Sequence, residues 1–363
     1  MQQYKLLTPG PLTTSDTVRQ KMLLDRCTWD DEYKQTTQQI RRELLELAQV
    51  GEKDYTAILM QGSGSFVVEA VLMSTVSGCG KILVLTNGAY GERLASMART
   101  IGLQTVVEAA PYNSYHDFGH IENILQQDQS ITHLAMVHCE TTTGILNPID
   151  QASELAKQYN KTFIVDAMSS FGGIPIDVEA LQIDYLVSSA NKCIQGVPGF
   201  GFVIAKKAAL VNCQGISRSV SLDLYDQWQV MDVDGKWRFT SPTHVVAAFL
   251  QAIHELKEEG GIKARFERYA SNNRLLRKQM EKLGFISYIS EDKQSPIITS
   301  FLYPTEHFNF PAFYESMKEQ GFVLYPGKLT DVDTFRIGNI GEIYKEDIQR
   351  LCHAIENYMA VMN

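Results

Sequence analysis

The sequence predicts an α/β protein: a large domain on a mostly parallel, mixed sheet flanked by helices, followed by a smaller α+β domain at the C-terminus. Three observations predict it. From about residue 55, apolar strand-like runs alternate with helical stretches. Two of the runs, 162–166 and 185–189, are almost uninterruptedly apolar, as strands buried on both faces are. Near residue 260 the pattern changes, with Gly260-Gly261 breaking the chain before a long charged helix and shorter strands.

Taken in order, residues 1–14 read as irregular, with Thr8-Pro9-Gly10-Pro11 as a rigid turn. Residues 36–49 predict an amphipathic helix with Ile40, Leu44 and Leu47 on one stripe. Strands are expected at 56–60, 81–86, 104–108, 133–138, 162–166, 185–189 and 201–206, with helices at 66–76, 90–101 and 150–159 between them. Beyond Gly260-Gly261 a helix runs through Arg265, Arg268, Arg274 and Arg277, then strands follow at 296–302 and 321–325 and a helix at 345–361. The expected division is 1–14, 15–258 and 259–363.

Composition narrows the function classes. The 363 residues carry a net charge of −9 and no basic run, which argues against nucleic acid as a partner. Anionic substrates then depend on a few local Arg or Lys side chains. No stretch of about 18 apolar residues is present, so no membrane span is expected. The N-terminus lacks the apolar core of a signal peptide. Six scattered cysteines, with no C-x-x-C pair and no metal-ligand spacing to histidine, point to reduced thiols, a cytoplasmic setting and no metal.

The chemistry gathers at two strand ends. Phe163-Ile164-Val165-Asp166-Ala167-Met168-Ser169-Ser170 delivers an acid, and Tyr185-Leu186-Val187-Ser188-Ser189-Ala190-Asn191-Lys192 delivers an amine. Ligands of parallel sheets bind beyond such ends. Pyridoxal 5'-phosphate (PLP) needs that pair: a carboxylate for its ring nitrogen and a lysine for covalent attachment. Singly, an Asp there is more often a helix cap and a Lys a solvated loop residue. The Gly/Pro turn Gly196-Val197-Pro198-Gly199 and the apolar run after it make Lys192 an unusual surface residue.

Four other stretches allow two readings each. Met60-Gln61-Gly62-Ser63-Gly64-Ser65-Phe66, between strand and helix, is either a phosphate site or a tight capped turn. Tyr90, in Asn87-Gly88-Ala89-Tyr90-Gly91, either stacks on a cofactor ring or covers a core edge. His138-Cys139-Glu140-Thr141-Thr142-Thr143-Gly144 either hydrogen-bonds a ring hydroxyl or is a hydroxyl-rich turn, with His138 itself more in keeping with a core histidine. Arg336, among apolar neighbours, either pairs with an internal carboxylate, which residue types favour, or forks onto a substrate anion.

In this order along essentially the whole chain, these pieces resemble the class V aminotransferases of the fold-type I PLP enzymes. Leu7-Thr8-Pro9-Gly10-Pro11, the 62–65 turn, Tyr90, the 138–144 stretch, Asp166, Lys192 and Arg336 carry the resemblance. It implies that Lys192 forms the Schiff base and acts as general base, and that Asp166 pairs with the ring nitrogen. Tyr90 would stack, and Thr141 would meet the ring hydroxyl. Ser63, Gly64, Ser65 and Asn191 would hold the phosphate, with Met168 also at the cofactor. Thr240 would reach the phosphate from the other subunit of a homodimer, and Arg336 and Gly10 would meet the substrate. Cys27-Thr28-Trp29-Asp30-Asp31, the runs 165–173 and 189–200, and Phe239-Thr240-Ser241-Pro242-Thr243-His244 are similar to members that use 2-aminoethylphosphonate and pyruvate. Members using alanine or serine with glyoxylate often carry Trp at the position of Tyr90. Cysteine desulfurases of the class carry His at that of Asn191. Another class V enzyme, such as an alanine/serine–glyoxylate aminotransferase or a PLP lyase, is the remaining alternative, beside a non-catalytic protein on the same fold.

Overall fold

The protein is described by a computed structural model covering residues 4–327, 329 and 332–362. Residues 1–3 of the N-terminal segment and Asn363 lie outside the described residues. Seven strands form the central sheet: β1 (Tyr55–Gln61), β2 (Lys81–Thr86), β3 (Gln104–Ala109), β4 (Ile131–Val137), β5 (Thr162–Asp166), β6 (Tyr185–Ser189) and β7 (Phe200–Lys206). Their order is β1-β7-β6-β5-β4-β2-β3. Only β7 runs against its neighbours, so the sheet is mixed but mostly parallel, as expected.

Side-chain alternation builds two cores, one on each face. Leu59, Leu83, Leu85, Phe163, Val165 and Leu186 point to one face. Helices α1 (Asp31–Leu47), α4 (Phe118–Gln127), α5 (Ile149–Gln158) and α7 (Thr243–Glu258) cover that face, the first through Ile40 and Leu44. Ile58, Ile82, Val84, Ile164 and Val187 point to the other, under α2 (Gly64–Thr75), α3 (Ala89–Thr100) and α6 (Leu224–Asp234). With both faces covered, the strands carry no polar alternation, which is why they read as continuous apolar runs.

After α7, Gly260 turns through the left-handed region (φ 109°) and α8 (Gly261–Lys282) begins. A second, three-stranded antiparallel sheet follows, in the order β8 (Ile298–Leu302), β10 (Thr334–Gly338), β9 (Tyr325–Pro326). Its core is aromatic: Phe285, Phe301, Phe308, Phe310, Phe313 and Phe335 pack together beneath α8, α9 (Phe310–Glu319) and α10 (Lys345–Met362). None of the six cysteines is in a disulfide.

Three expectations are corrected. Residues 1–14 are not wholly irregular, since Lys5–Leu6 pairs in parallel with Phe322–Val323 and ties the N-terminal segment to the small sheet. Such a two-residue strand is too short to show a period, and its partner is remote in sequence. The strand expected at 321–325 is split between two sheets, at Phe322–Val323 and Tyr325–Pro326; Pro326, lacking an N–H, sits on an edge strand. The helix expected at 36–49 starts earlier, at Asp31, because Asp30 caps it by accepting from Glu32 N (3.0 Å).

Candidate active site

The sheet brings the carboxyl ends of β1, β4, β5 and β6 to one edge. Val137 lies beside Asp166, and Asp166 beside Val187. A cavity of about 220 Å³ opens beyond that edge, lined by Ser63, Gly64, Ser65, Tyr90, Asp166, Met168, Asn191 and Lys192 among others. Eight of the residues singled out in the sequence therefore meet in one place.

One end of the cavity suits an anion. Ser63 is the N-cap of α2, but its hydroxyl makes no capping bond, and the first helical turn holds no acidic residue. The N–H groups of Gly64 and Ser65 precede the first donors used inside the helix, Phe66 N and Val67 N, which both reach Ser63 O. Free N–H groups and the positive end of the helix dipole face the same volume. Ser189, the last residue of β6, adds a buried hydroxyl without a hydrogen-bond partner. Gly64 cannot carry a side chain without meeting the Met168 thioether.

The same cavity holds the acid and the amine. Asp166 is buried, and its Oδ1 accepts from Met168 N (2.9 Å), so one oxygen caps the following turn, as the structural reading of such an Asp expects. Burial pushes its carboxyl up to about 6, against the pull of that bond and of Lys192 and Arg93. Lys192 donates from Nζ to Pro9 O (2.8 Å), and burial lowers its pKa, which favours the neutral amine. The N-terminal segment thus forms a wall of the site. Gly10 (φ 118°) lies so close to Lys192 that a Cβ there would sit 2.8 Å from Lys192 Cδ.

Tyr90, half-buried in the first turn of α3, lies between two guanidinium groups. Arg93 stands 5.0 Å from its ring centroid, and Arg336 lies near enough to interact electrostatically with its phenol. Arg336 is almost wholly buried on β10. Its Nε donates to Pro326 O (3.0 Å) and one terminal nitrogen to Thr141 O (2.9 Å), with its guanidinium 4.9 Å from the Tyr325 ring centroid. Among the described residues no carboxylate pairs with it, which corrects the internal ion pair favoured by residue types; backbone carbonyls accept from two of its nitrogens instead, which does not use up its five N–H donors. The Thr141 hydroxyl is buried and unpartnered. Such orphan hydroxyls, together with the anion end and the acid–amine pair, fit the polar groups of PLP.

Of the expected cofactor residues, Thr141 and Thr240 are not among those that line this cavity; Thr141 adjoins it through Cys139 and Arg336, whereas Thr240 lies apart. It is exposed, beside Phe239, which lines a neighbouring hollow with Gly62 and Phe66. His138 is a core histidine, paired through Nδ1 with Ser170 Oγ (2.9 Å) and pushed down to about 4 by burial. The Cys193 thiol is buried, pushed up to about 12 and bonded to Ser169 O (3.1 Å), which leaves it unsuited as a nucleophile. The sequence reading missed Arg93, Ser189 and Glu140. Arg93 is three residues beyond Tyr90, and so on its helical face. Ser189 occupies the same strand-end position as Asp166.

The family model for aminotransferase class-V matches residues 27–324. The chain belongs to the class-V aminotransferase family. This class-V aminotransferase is 64% identical over 363 residues to the 2-aminoethylphosphonate–pyruvate transaminase of Lysinibacillus sphaericus (strain C3-41), covering 100% of this chain and 99% of the relative. It is 58% identical over 353 residues to the protein of the same name from Bacillus cereus (strain Q1), covering 97% of each. In fold it is similar to the pyridoxamine-pyruvate aminotransferase of Mesorhizobium loti, with a TM-score of 0.91 at 21% identity over 99% of this chain and 93% of the other. Membership of this family makes the enzyme PLP-dependent.

Proposed function

We propose that this class-V aminotransferase transfers the amino group of 2-aminoethylphosphonate to pyruvate, giving phosphonoacetaldehyde and L-alanine, as a step in phosphonate breakdown. Full-length identity of 64% to a transaminase of that name carries the reading. The cavity supports it by combining an anion cradle and an acid–amine pair, with the buried Arg336 guanidinium beside Tyr90 of its lining.

PLP, when bound, supplies the electron sink for the pair left behind when the amino carbon loses its proton. Ser63, Gly64, Ser65, Asn191 and Ser189 would hold its phosphate, Asp166 its ring nitrogen, Thr141 its ring hydroxyl, and Tyr90 and Met168 its faces. Lys192 Nζ would hold it covalently, and the same amine, biased by burial toward its neutral form, would accept the proton of the amino-bearing carbon. Asp166, as a carboxylate, would keep the ring nitrogen protonated and stabilise charge without moving a proton. The donor's amino carbon is a CH₂ without a carboxylate, so no decarboxylation competes. Arg336, with Gly10 beside Lys192, receives the phosphonate in one half-reaction and the pyruvate carboxylate in the other, since a guanidinium fork fits either anion.

Finer features extend the proposal. The division at 258/259 follows the left-handed Gly260 between α7 and α8. The enzyme works as a homodimer, with Thr240 of each copy completing the phosphate site of the other. Its exposed position beside the exposed Phe239 and Phe66 supports this. The unpaired thiols suit a cytoplasmic setting. No described helix is long and apolar enough to cross a membrane.

A substrate panel tests the function. 2-Aminoethylphosphonate with pyruvate should give phosphonoacetaldehyde and alanine in equal amounts, and omission of pyruvate should stop the enzyme after one turnover. Preference for alanine or serine with glyoxylate would replace the substrate assignment, and continued turnover without a keto acid would replace transamination with elimination. Arg336→Lys should raise KM for both 2-aminoethylphosphonate and pyruvate by roughly 10- to 100-fold, the cost of trading a bidentate fork for a point charge. An unchanged KM for pyruvate would confine Arg336 to the donor half.

A further inference from the structure

Glu140 has no role in the chemistry above, yet it is fully buried within the shell of the site. No cation pairs with it among the described residues. Its partners are instead the first backbone donors of α3. Oε1 accepts from Gly91 N (2.6 Å), and Oε2 accepts from Tyr90 N (3.3 Å) and lies 3.5 Å from Thr142 Oγ1. Thr142 Oγ1 in turn accepts from Ala89 N (3.3 Å). The helix has no cap of its own, because its N-cap residue is Gly88. Gly88 is needed for the contact: a Cβ there would sit 2.5 Å from Glu140 Cδ and 2.6 Å from Oε2. A carboxylate from another segment thus satisfies donors that would otherwise be orphaned and sits at the positive end of the dipole.

The two ends of this contact are informative. Tyr90 is one of the capped residues, and it carries the ring between Arg93 and Arg336. The residue after Glu140 is Thr141, whose hydroxyl is buried without a partner and whose carbonyl accepts from Arg336. We propose that Glu140 is a positioning residue, which fixes the Tyr90 ring against the cofactor plane and Thr141 at the ring hydroxyl by capping α3 from the 138–144 segment. This rests on the assignment of the cavity to PLP.

Burial pushes the Glu140 carboxyl up to about 7, opposed by the Gly91 and Tyr90 N–H groups and reinforced by the Asp166 charge. Replacement by Gln therefore removes a charge held at considerable cost while keeping one acceptor. It leaves an amide NH₂ or a single oxygen to serve two N–H groups, so the cap is weakened without being emptied.

The test is PLP binding to the cofactor-free full chain, followed by visible absorbance, with thermal unfolding run in parallel. Glu140→Ala orphans the donors and should weaken PLP binding roughly 10- to 100-fold, with Glu140→Gln intermediate at about 3- to 10-fold. In a Tyr90→Leu background the Gln substitution should weaken PLP binding by a clearly smaller factor than in the wild type, because the part that acts through that ring is gone and only the part through Thr141 remains. A purely structural cap would lower the unfolding midpoint while PLP affinity and the absorbance band of the folded fraction stayed as in the wild type. That result, an affinity within twofold for a folded variant, would overturn the proposal. If Glu140→Ala does not fold, the Gln variant and the double-mutant comparison suffice to support or overturn it. Wild-type protein is the control for the underlying assignment: failure to take up PLP would remove the cofactor reading, whereas normal uptake with indifferent Glu140 variants removes only this inference.

Discussion

Lys192→Ala is expected to leave a folded protein whose turnover is lower by roughly 10⁴-fold, the upper end of what a general base contributes. The size follows from the number of tasks one amine performs. Lys192 is the lysine of the described cavity, held by Pro9 O at 2.8 Å and biased by burial toward the neutral form that can accept a proton. Stability should change little. The substitution removes a buried amine, with the Pro9 carbonyl as its hydrogen-bond partner in the structure, so a shift of a few degrees in Tm is expected for a chain of this size. PLP should still bind through the anion cradle and Asp166 but should be released by dialysis, because the covalent attachment is gone. Partial recovery of activity with added methylamine would separate the missing base from a distorted site.

Asp166→Asn is expected to lower kcat by about 10² to 10³, the scale seen when one preorganised electrostatic partner is removed. An amide is nearly the same shape, and its oxygen can still accept from Met168 N, so the turn after β5 should persist. What is lost is the negative charge opposite the ring nitrogen. The pH dependence of the cofactor-free protein supplies an independent check. Burial raises the Asp166 carboxyl from 3.8 to about 6, while Met168 N, Lys192 and Arg93 pull the other way. The native state therefore holds this proton more tightly than the unfolded chain, and stability falls as pH rises through that interval. Asn carries no such titration. The difference in Tm between Asp166→Asn and wild type should grow in favour of the variant between about pH 4 and pH 6 and stay level above it. A constant difference across that range would show that Asp166 titrates normally.

Much of this was legible in the sequence for a physical reason. A strand buried on both faces must be apolar, so Asp166 and Lys192 stood out as departures at strand ends. The helix start at Gly64 was visible because small residues there serve both a tight turn and an anion. Arg336 was harder, since its partners are the carbonyls of Thr141 and Pro326, which no side-chain pattern encodes. Glu140 was hidden for a similar reason: an acid beside three threonines reads as a turn, and only the fold shows that its carboxylate caps a helix beginning at Ala89. The pairing of Lys5–Leu6 with Phe322–Val323 depends on contacts across nearly the whole chain. It nonetheless helps hold the segment that brings Pro9 and Gly10 to Lys192.

Reduction of the PLP-loaded enzyme with borohydride, followed by digestion and peptide mass analysis, tests the central claim most directly. The visible absorbance should disappear, and a single pyridoxyl label should be found on Lys192. A label on another lysine, or no label on a protein that still turns over, would contradict the account.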